Sequence, residues 1–260
     1  MDDATVAAYL SRIGSARPER PGADELATLQ QNHLASVPFE NLSIHLGEPI
    51  TLDVDALVDK VVGRRRGGFC YELNGAFAAL LSALGYSVTM HSARPFIPDG
   101  SVGPPFDHLA LRVDLDDEAF LVDVGFGRFA RRPIRLESRV EQQDPEGVVL
   151  LVDTADGDVD VLLDGQPQYR LELRPRQLAD CVPTCWWQQT SPASHFTQSL
   201  TCSLPTSDGR VTLSGDRLIR TVNGERHEQT LAGDGDVLAA YREHFGISLD
   251  RLPSAPRARS

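Results

Sequence analysis

Residues 66–74 read Arg-Gly-Gly-Phe-Cys-Tyr-Glu-Leu-Asn (RGGFCYELN). Two glycines let the backbone turn sharply and approach a neighbour closely, and the residues after them favour a helix. Within CYELNGAFAALLSALGY, Leu73, Phe77, Leu80, Leu81 and Leu84 recur at three- and four-residue steps. That spacing predicts a buried or half-buried helix beginning at or next to Cys70 and stopping at Gly85. A helix N-terminus carries partial positive charge and free N–H groups. Those groups stabilise a thiolate, lower a cysteine's pKa and hold a developing oxyanion. The position therefore suits a nucleophile. From this segment alone the plainer reading, a small buried cysteine, stays open.

Working toward the N-terminus, LDVDALVDKVVG places Leu57, Val58, Val61 and Val62 on one helical face. ADELATLQQNHLASV reads as a longer helix stopped before Pro38, and TVAAYLSRIG as an amphipathic segment ending at Gly14. Toward the C-terminus the period changes. SVTMHSARPF, HLALRVDL, AFLVDVGF, GVVLLVDT, VDVLLD and YRLELRP are short β-rich runs cut by Gly, Pro and Asp, which predicts an antiparallel sheet or barrel. RVTLSGDRLIRTVNGE reads as a strand pair turned at NG, followed by a helix over DVLAAYREHFGI. The tail LPSAPRARS reads as frayed.

A thiol nucleophile needs a base, and the base an orienting group. FDHLALRVDLDDEAFLVDVGFG has the signature of a hairpin. With Leu115-Asp116 as its turn, His108 faces Asp123 directly, with Cβ atoms roughly 5 Å apart; a turn at Asp116-Asp117 offsets the pair. Asp123 lies in an apolar run, where an unpaired carboxylate is costly. An edge histidine and an exposed aspartate are the alternative. His33, His227 and His244 sit in polar stretches and read as solvated, while His45, His91 and His195 lack a comparable setting.

Composition bounds the function classes. The chain has 260 residues, 41% of them hydrophobic, and a formal charge of −12 from 25 basic and 37 acidic residues. That balance argues against a nucleic-acid surface, which needs a basic stripe, but allows a local basic cluster for a small anion. The acidic start MDDATVAAYL is not a signal peptide. No apolar run reaches the about 18 residues that span a bilayer. Four cysteines, Cys70, Cys181, Cys185 and Cys202, are too few for a disulfide scaffold and lack zinc-site spacing. A cytoplasmic protein without metal or membrane partner is the expectation.

Cysteine, then histidine, then aspartate, with the thiol at a helix start and the other two on a sheet, is the order of papain-like thiol enzymes. The chain resembles the arylamine N-acetyltransferases in VPFENLSI (37–44), RGGFCYELNGAF (66–77), DHLALRV (107–113), FLVDVGFG (120–127) and SHFTQSLTCSLPTSDGRVTL (194–213). The resemblance implies an α+β fold in three parts: a helical bundle (1–85), an antiparallel β-barrel (86–193) and an α/β lid (194–260). It implies that Cys70, His108 and Asp123 form a catalytic triad. Through it an acetyl group would pass from acetyl-coenzyme A to an arylamine or arylhydrazine. Arg66 and Glu40 would form a structural ion pair. Phe39, Phe126 and Phe196 match acceptor-pocket positions, and Thr206 a position near coenzyme A. Amide synthases that close macrolactams from carrier-bound acyl chains share the triad and are the alternative. A thiol hydrolase and a non-catalytic binding module are more distant readings.

Overall fold

The computed structural model describes residues 1–254. Helices come first: α1 (Asp3–Arg12), α2 (Ala23–Ser36), a two-residue strand β1 (Phe39–Glu40), then α3 (Leu42–Leu46) and α4 (Val54–Val58). A π-helical turn over Asp59–Gly63 continues α4, and α5 (Cys70–Ala83) follows. All four helices expected before Gly85 are present, the third in two conformations. α5 packs at the centre of the first core, with Leu73, Phe77, Leu80 and Leu81 buried beside Tyr9, Leu26 and Leu57.

Eight strands form the second part: β2 (Ser87–Pro95), β3 (His108–Leu115), β4 (Glu118–Val122), β5 (Ile134–Arg135), β6 (Gln142–Asp144), β7 (Gly147–Asp153), β8 (Val159–Leu163) and β9 (Gln166–Arg176). Their antiparallel order is β5-β4-β3-β2-β9-β8-β7-β6. The edge strands meet through one side chain. Gln142 accepts from the Arg135 backbone N–H (2.8 Å) and donates to the Arg135 carbonyl (3.0 Å), nearly closing a barrel. Inside it lie Ala110, Leu121, Val161 and Tyr169. Leu109, Leu111, Val113 and Val122 point the other way, onto the core that holds α5. Two buried faces explain why β3 is apolar almost throughout.

A 3₁₀ turn (Leu178–Cys181), α6 (Val182–Thr190) and α7 (His195–Gln198) lead to β10 (Cys202–Thr206), β11 (Gly209–Ser214), β12 (Arg217–Val222), β13 (Glu225–Thr230) and α8 (Asp234–Phe245). β1 pairs with β10, so the order is β1-β10-β11-β12-β13. Tyr241 and Phe245 of α8 cover this sheet in a third core that includes Leu42 and Leu46 of α3.

The structure corrects several sequence expectations. The β3–β4 turn is Asp116-Asp117, with Leu115 opposite Glu118 and Asp116 at φ +50°. His108 therefore does not sit directly opposite Asp123. Moving a turn by one residue slides the register by two, which preserves the face each side chain occupies. The two groups remain on one side and meet diagonally. Asn223-Gly224 turns β12 into β13, while Gly215-Asp216 joins β11 to β12, because the β11–β12 register centres on Ser214 and Arg217. His33 is fully buried: it continues the inward stripe of Leu26, Leu29 and Gln30 and meets the Tyr9 hydroxyl at 3.0 Å. Residues 255–260 of the tail expected to fray lie outside the described residues. No helix among the described residues is long and apolar enough to cross a membrane.

Candidate active site

The glycines that open the signature place α5. A Cβ on Gly67 would come within 1.8 Å of the Pro38 carbonyl oxygen, and one on Gly68 within 2.7 Å of Glu72. The strand at Phe39–Glu40 thus lies directly on the turn, and the Glu40 N–H donates to the Gly68 carbonyl. Two buried ion pairs hold the turn from either side. Arg66 Nε contacts Glu40 Oε1 at 3.0 Å, the structural pair expected from the sequence, and its NH1 reaches Glu48. Lys60, on the π-helical turn, contacts Glu72 at 2.5 Å, and Glu72 in turn accepts from the Phe69 N–H at the start of α5. Burial alone would push the Glu40 carboxyl up, but the Lys60 and Arg66 cations hold it below the usual carboxylate range.

Cys70 is the first residue of α5 and is buried. Burial pushes its thiol well up, and only the Leu109 backbone amide beside it pulls appreciably the other way. The expected depression by the helix end is therefore absent. The Phe69 amide at that end is already taken by the Glu72 carboxylate, and the thiol is buried. Cys181 and Cys185 are buried too, and burial raises both to about 12. All four cysteines are free thiols.

His108 Nε2 lies 2.7 Å from Asp123 Oδ2, and both side chains are almost wholly excluded from water. A carboxylate oxygen accepts, so Nε2 carries the proton and Nδ1 keeps its lone pair. The other carboxylate oxygen, Oδ1, takes N–H groups from Asn74 (2.9 Å) and from Gly125 (2.8 Å). Asn74 was not singled out from the sequence, although it closes the quoted stretch. Its Nδ2 also donates to the Leu109 carbonyl (2.6 Å) and its Oδ1 accepts from the Val124 N–H (3.0 Å). One amide on the second turn of α5 therefore ties together α5, β3 and the segment after β4. The available signal was its position four residues after Cys70, on the same helix face. Gly125 completes the junction: a Cβ there would lie 2.7 Å from Cys70 Cα. Cys70 is thus brought against the segment that carries Asp123.

The three phenylalanines gather around this junction. Phe126 packs edge-on against His108 (ring centroids 5.0 Å) and Tyr169 (4.9 Å). Phe196 contacts Phe69 (5.0 Å) and Phe39 (6.2 Å). Phe39 also lies beneath Gly127, whose φ of +88° turns the chain away after Phe126. Thr206 ends β10 some distance along the chain from them; its hydroxyl donates to Asp208 and its carbonyl accepts from Arg131. Among the described residues no group of three or more His, Cys, Asp or Glu could hold a metal ion.

With this geometry established, the comparisons decide the family. A family model described as N-acetyltransferase matches residues 23–253. The arylamine N-acetyltransferase of Mycolicibacterium smegmatis is 36% identical over 94% of this chain and 92% of its own. This chain belongs to the arylamine N-acetyltransferase family. An Escherichia coli arylamine N-acetyltransferase is 34% identical over 93% of this chain and 88% of its own. The solved M. smegmatis arylamine N-acetyltransferase superposes with a TM-score of 0.85 at 36% identity, covering 96% of this chain and 93% of that one. The arylamine N-acetyltransferase of Mycobacterium marinum, solved in complex with CoA, gives 0.83 at 32% identity, covering 93% and 92%. The α+β fold is the family's fold, and the chain is an acyltransferase of this family.

Proposed function

We propose that this arylamine N-acetyltransferase takes its acetyl group from acetyl-coenzyme A and passes it to an arylamine or arylhydrazine through an acetyl-Cys70 intermediate. The observation that carries this reading is the hydrogen-bonded His108–Asp123 pair, 2.7 Å apart and buried, at the junction where α5 presents Cys70. Cys70 gives its proton to His108 Nδ1 as its sulfur bonds the thioester carbonyl. The coenzyme A thiolate leaves and takes that proton back from His108. In the second half-reaction the amine nitrogen bonds the acetyl carbon, His108 accepts a proton from the nitrogen, and the Cys70–acetyl bond breaks as His108 passes that proton to the leaving sulfur, which regenerates the thiol. Asp123 balances the imidazolium in both halves.

In this scheme Phe39, Phe126 and Phe196 line the acceptor site, and Thr206 lies by coenzyme A. Residues 1–85 carry the nucleophile, 86–193 the base and its orienter, and 194–260 the cover. No nucleic acid, membrane or metal is needed. The test is the intact mass after mixing the enzyme with acetyl-coenzyme A and no amine. One added acetyl group, mapped to Cys70 and discharged on adding an arylamine, is the expected result. An unmodified protein that acts only on carrier-bound acyl chains would overturn the donor assignment in favour of amide synthesis.

A further inference from the structure

Asp107 immediately precedes the base in the chain. Side chains alternate along β3: His108 turns into the barrel against Phe126 and Tyr169, while Leu109 faces the core that holds α5. Asp107 shares the side of Leu109, and there Gln188 of α6 donates to its Oδ1. Phe106, just before it, is fixed three ways. Its carbonyl accepts from the Tyr71 hydroxyl (2.6 Å), its N–H donates to Ser92 Oγ (3.1 Å), and the Arg176 guanidinium lies 4.7 Å from its ring centroid. These contacts hold Phe106 at φ +61°, a left-handed conformation that a bulky residue rarely adopts. The direction in which the chain delivers Asp107 is therefore set by the surrounding structure.

Two connections tie Asp107 to the reacting groups. The first is electrical. Burial chiefly raises the Cys70 thiol, and the Asp107 carboxylate raises it further. Burial raises Asp107 as well, while the Gln188 bond and the His108 ring act to lower it. The second connection is a hydrogen-bond chain. Gln188 is buried and also accepts from the Ser194 hydroxyl, and Ser194 Oγ accepts from the Phe196 N–H (3.1 Å). Asp107 is thereby joined to the segment that carries one of the three acceptor-site rings. Only one oxygen of its carboxylate is used in this chain. The side chain is half-buried, and its Oδ2 has no hydrogen-bond or ion-pair partner among the described residues. Arg176, stacked on the neighbouring Phe106, is paired with Glu172 (3.1 Å).

Asp107 thus differs from Asp123, whose two oxygens are both engaged by His108, Asn74 and Gly125. A half-exposed carboxylate beside the nucleophile discriminates by charge: it accepts an N–H or attracts a cation, and it repels an anion. We propose that Asp107 is a specificity-determining residue of the acceptor site, favouring arylamines and arylhydrazines that are neutral or cationic and rejecting those that carry a carboxylate or sulfonate. This rests on the acetyl-Cys70 reading made above and narrows its acceptor class.

The experiment compares wild type with Asp107→Asn, which keeps an oxygen for Gln188 and removes the charge. Acetyl-coenzyme A is the donor. Three acceptors differ in charge at the para position: 4-aminobenzoate, its neutral ethyl ester and (4-aminophenyl)trimethylammonium. In a ping-pong reaction kcat/KM for the acceptor reports the second half-reaction alone. Effects of the charge on Cys70 and His108 are common to the three acceptors and cancel in their ratios. Relative to the ester, the substitution should raise kcat/KM for the anion about 5- to 20-fold and lower that for the cation by a similar factor. Equal changes with all three acceptors would make Asp107 a merely structural residue and overturn the proposal, as would no change. A second measurement needs no turnover. Alkylation of Cys70 by iodoacetate and by iodoacetamide, followed by peptide mapping, compares an anion with its neutral amide. Asp107→Asn should raise the ratio of the iodoacetate rate to the iodoacetamide rate by a similar factor, whatever happens to the thiol pKa. That shift in a protein that takes no acetyl group from acetyl-coenzyme A would refute the donor reading and uphold the charge filter. Unchanged alkylation and acceptor ratios in an enzyme that does transfer acetyl would refute the filter alone.

Discussion

Asp123 has its two oxygens assigned by different partners, and this makes a single-atom substitution informative. Asn74 and Gly125 both donate to Oδ1, so an asparagine at 123 must place its carbonyl there. Its NH₂ group then points at His108 Nε2 and forces that nitrogen to accept. The proton moves to Nδ1, and the base is lost. Asp123→Asn should therefore fold normally, yet lower both Cys70 alkylation by iodoacetamide and acetyl transfer by about 10²–10⁴-fold. Alkylation–pH profiles of the two proteins provide the check; superimposable curves would remove Asp123 from activation. Asn74→Ala has a different signature. It strands the buried Leu109 carbonyl and the Val124 N–H, each at about 1–3 kcal/mol. Denaturant melts should show that loss, and a variant as stable as wild type would mean that the three segments hold together without the amide.

The start of α5 is an element held by charge and by close backbone approach. Arg66 is buried against Glu40, so Arg66→Ala takes away the buried carboxylate's direct ion-pair partner and should cost about 3–5 kcal/mol. A variant inactive but fully stable would instead make Arg66 a direct catalytic group. Gly125→Ala tests the backbone approach. Its φ lies outside the left-handed region, so the effect is steric: the new methyl meets Cys70 Cα and Asn74 Nδ2, both at 2.7 Å. The helix start must move off the Asp123 segment. Transfer should fall with the His108–Asp123 pair intact, and a fully active Gly125→Ala would show that this contact does not position the thiol.

Across the whole molecule, acid acts through buried histidine. Burial lowers His33 from 6.5 to about 3, and lowers His91 as well. The folded state resists protonating these rings, so below pH 6.5 the unfolded chain binds more protons. The histidine contribution to stability should therefore be level above about pH 6.5 and fall as pH drops from there toward about 3. His33 contributes up to about 1.4 kcal/mol per pH unit. Glu40, held below its usual range, adds a loss at still lower pH as its carboxylate is protonated. Urea melts from pH 8 to 4 read the slope, and His33→Gln should flatten it. An unchanged slope in that variant would show that His33 is not its source.

The sequence by itself determined the local and chemical layers. The period change at Gly85 separated helices from strands, since side-chain spacing along one element needs no partner to be read. The order and setting of Cys70, His108 and Asp123 were legible because a buried carboxylate demands a nearby partner. What only the tertiary structure decided involves groups far apart in the chain. β1 joins the C-terminal sheet beside β10, His33 is buried beneath Tyr9, and Arg131 bridges barrel and C-terminal sheet. Asn74 acquired its part only when β3 and the segment after β4 came within hydrogen-bond reach of α5. The ionisation of Cys70 belongs to that layer too. A helix end promises a low thiol pKa, but burial is a property of everything packed around it, and here burial outweighs the helix end.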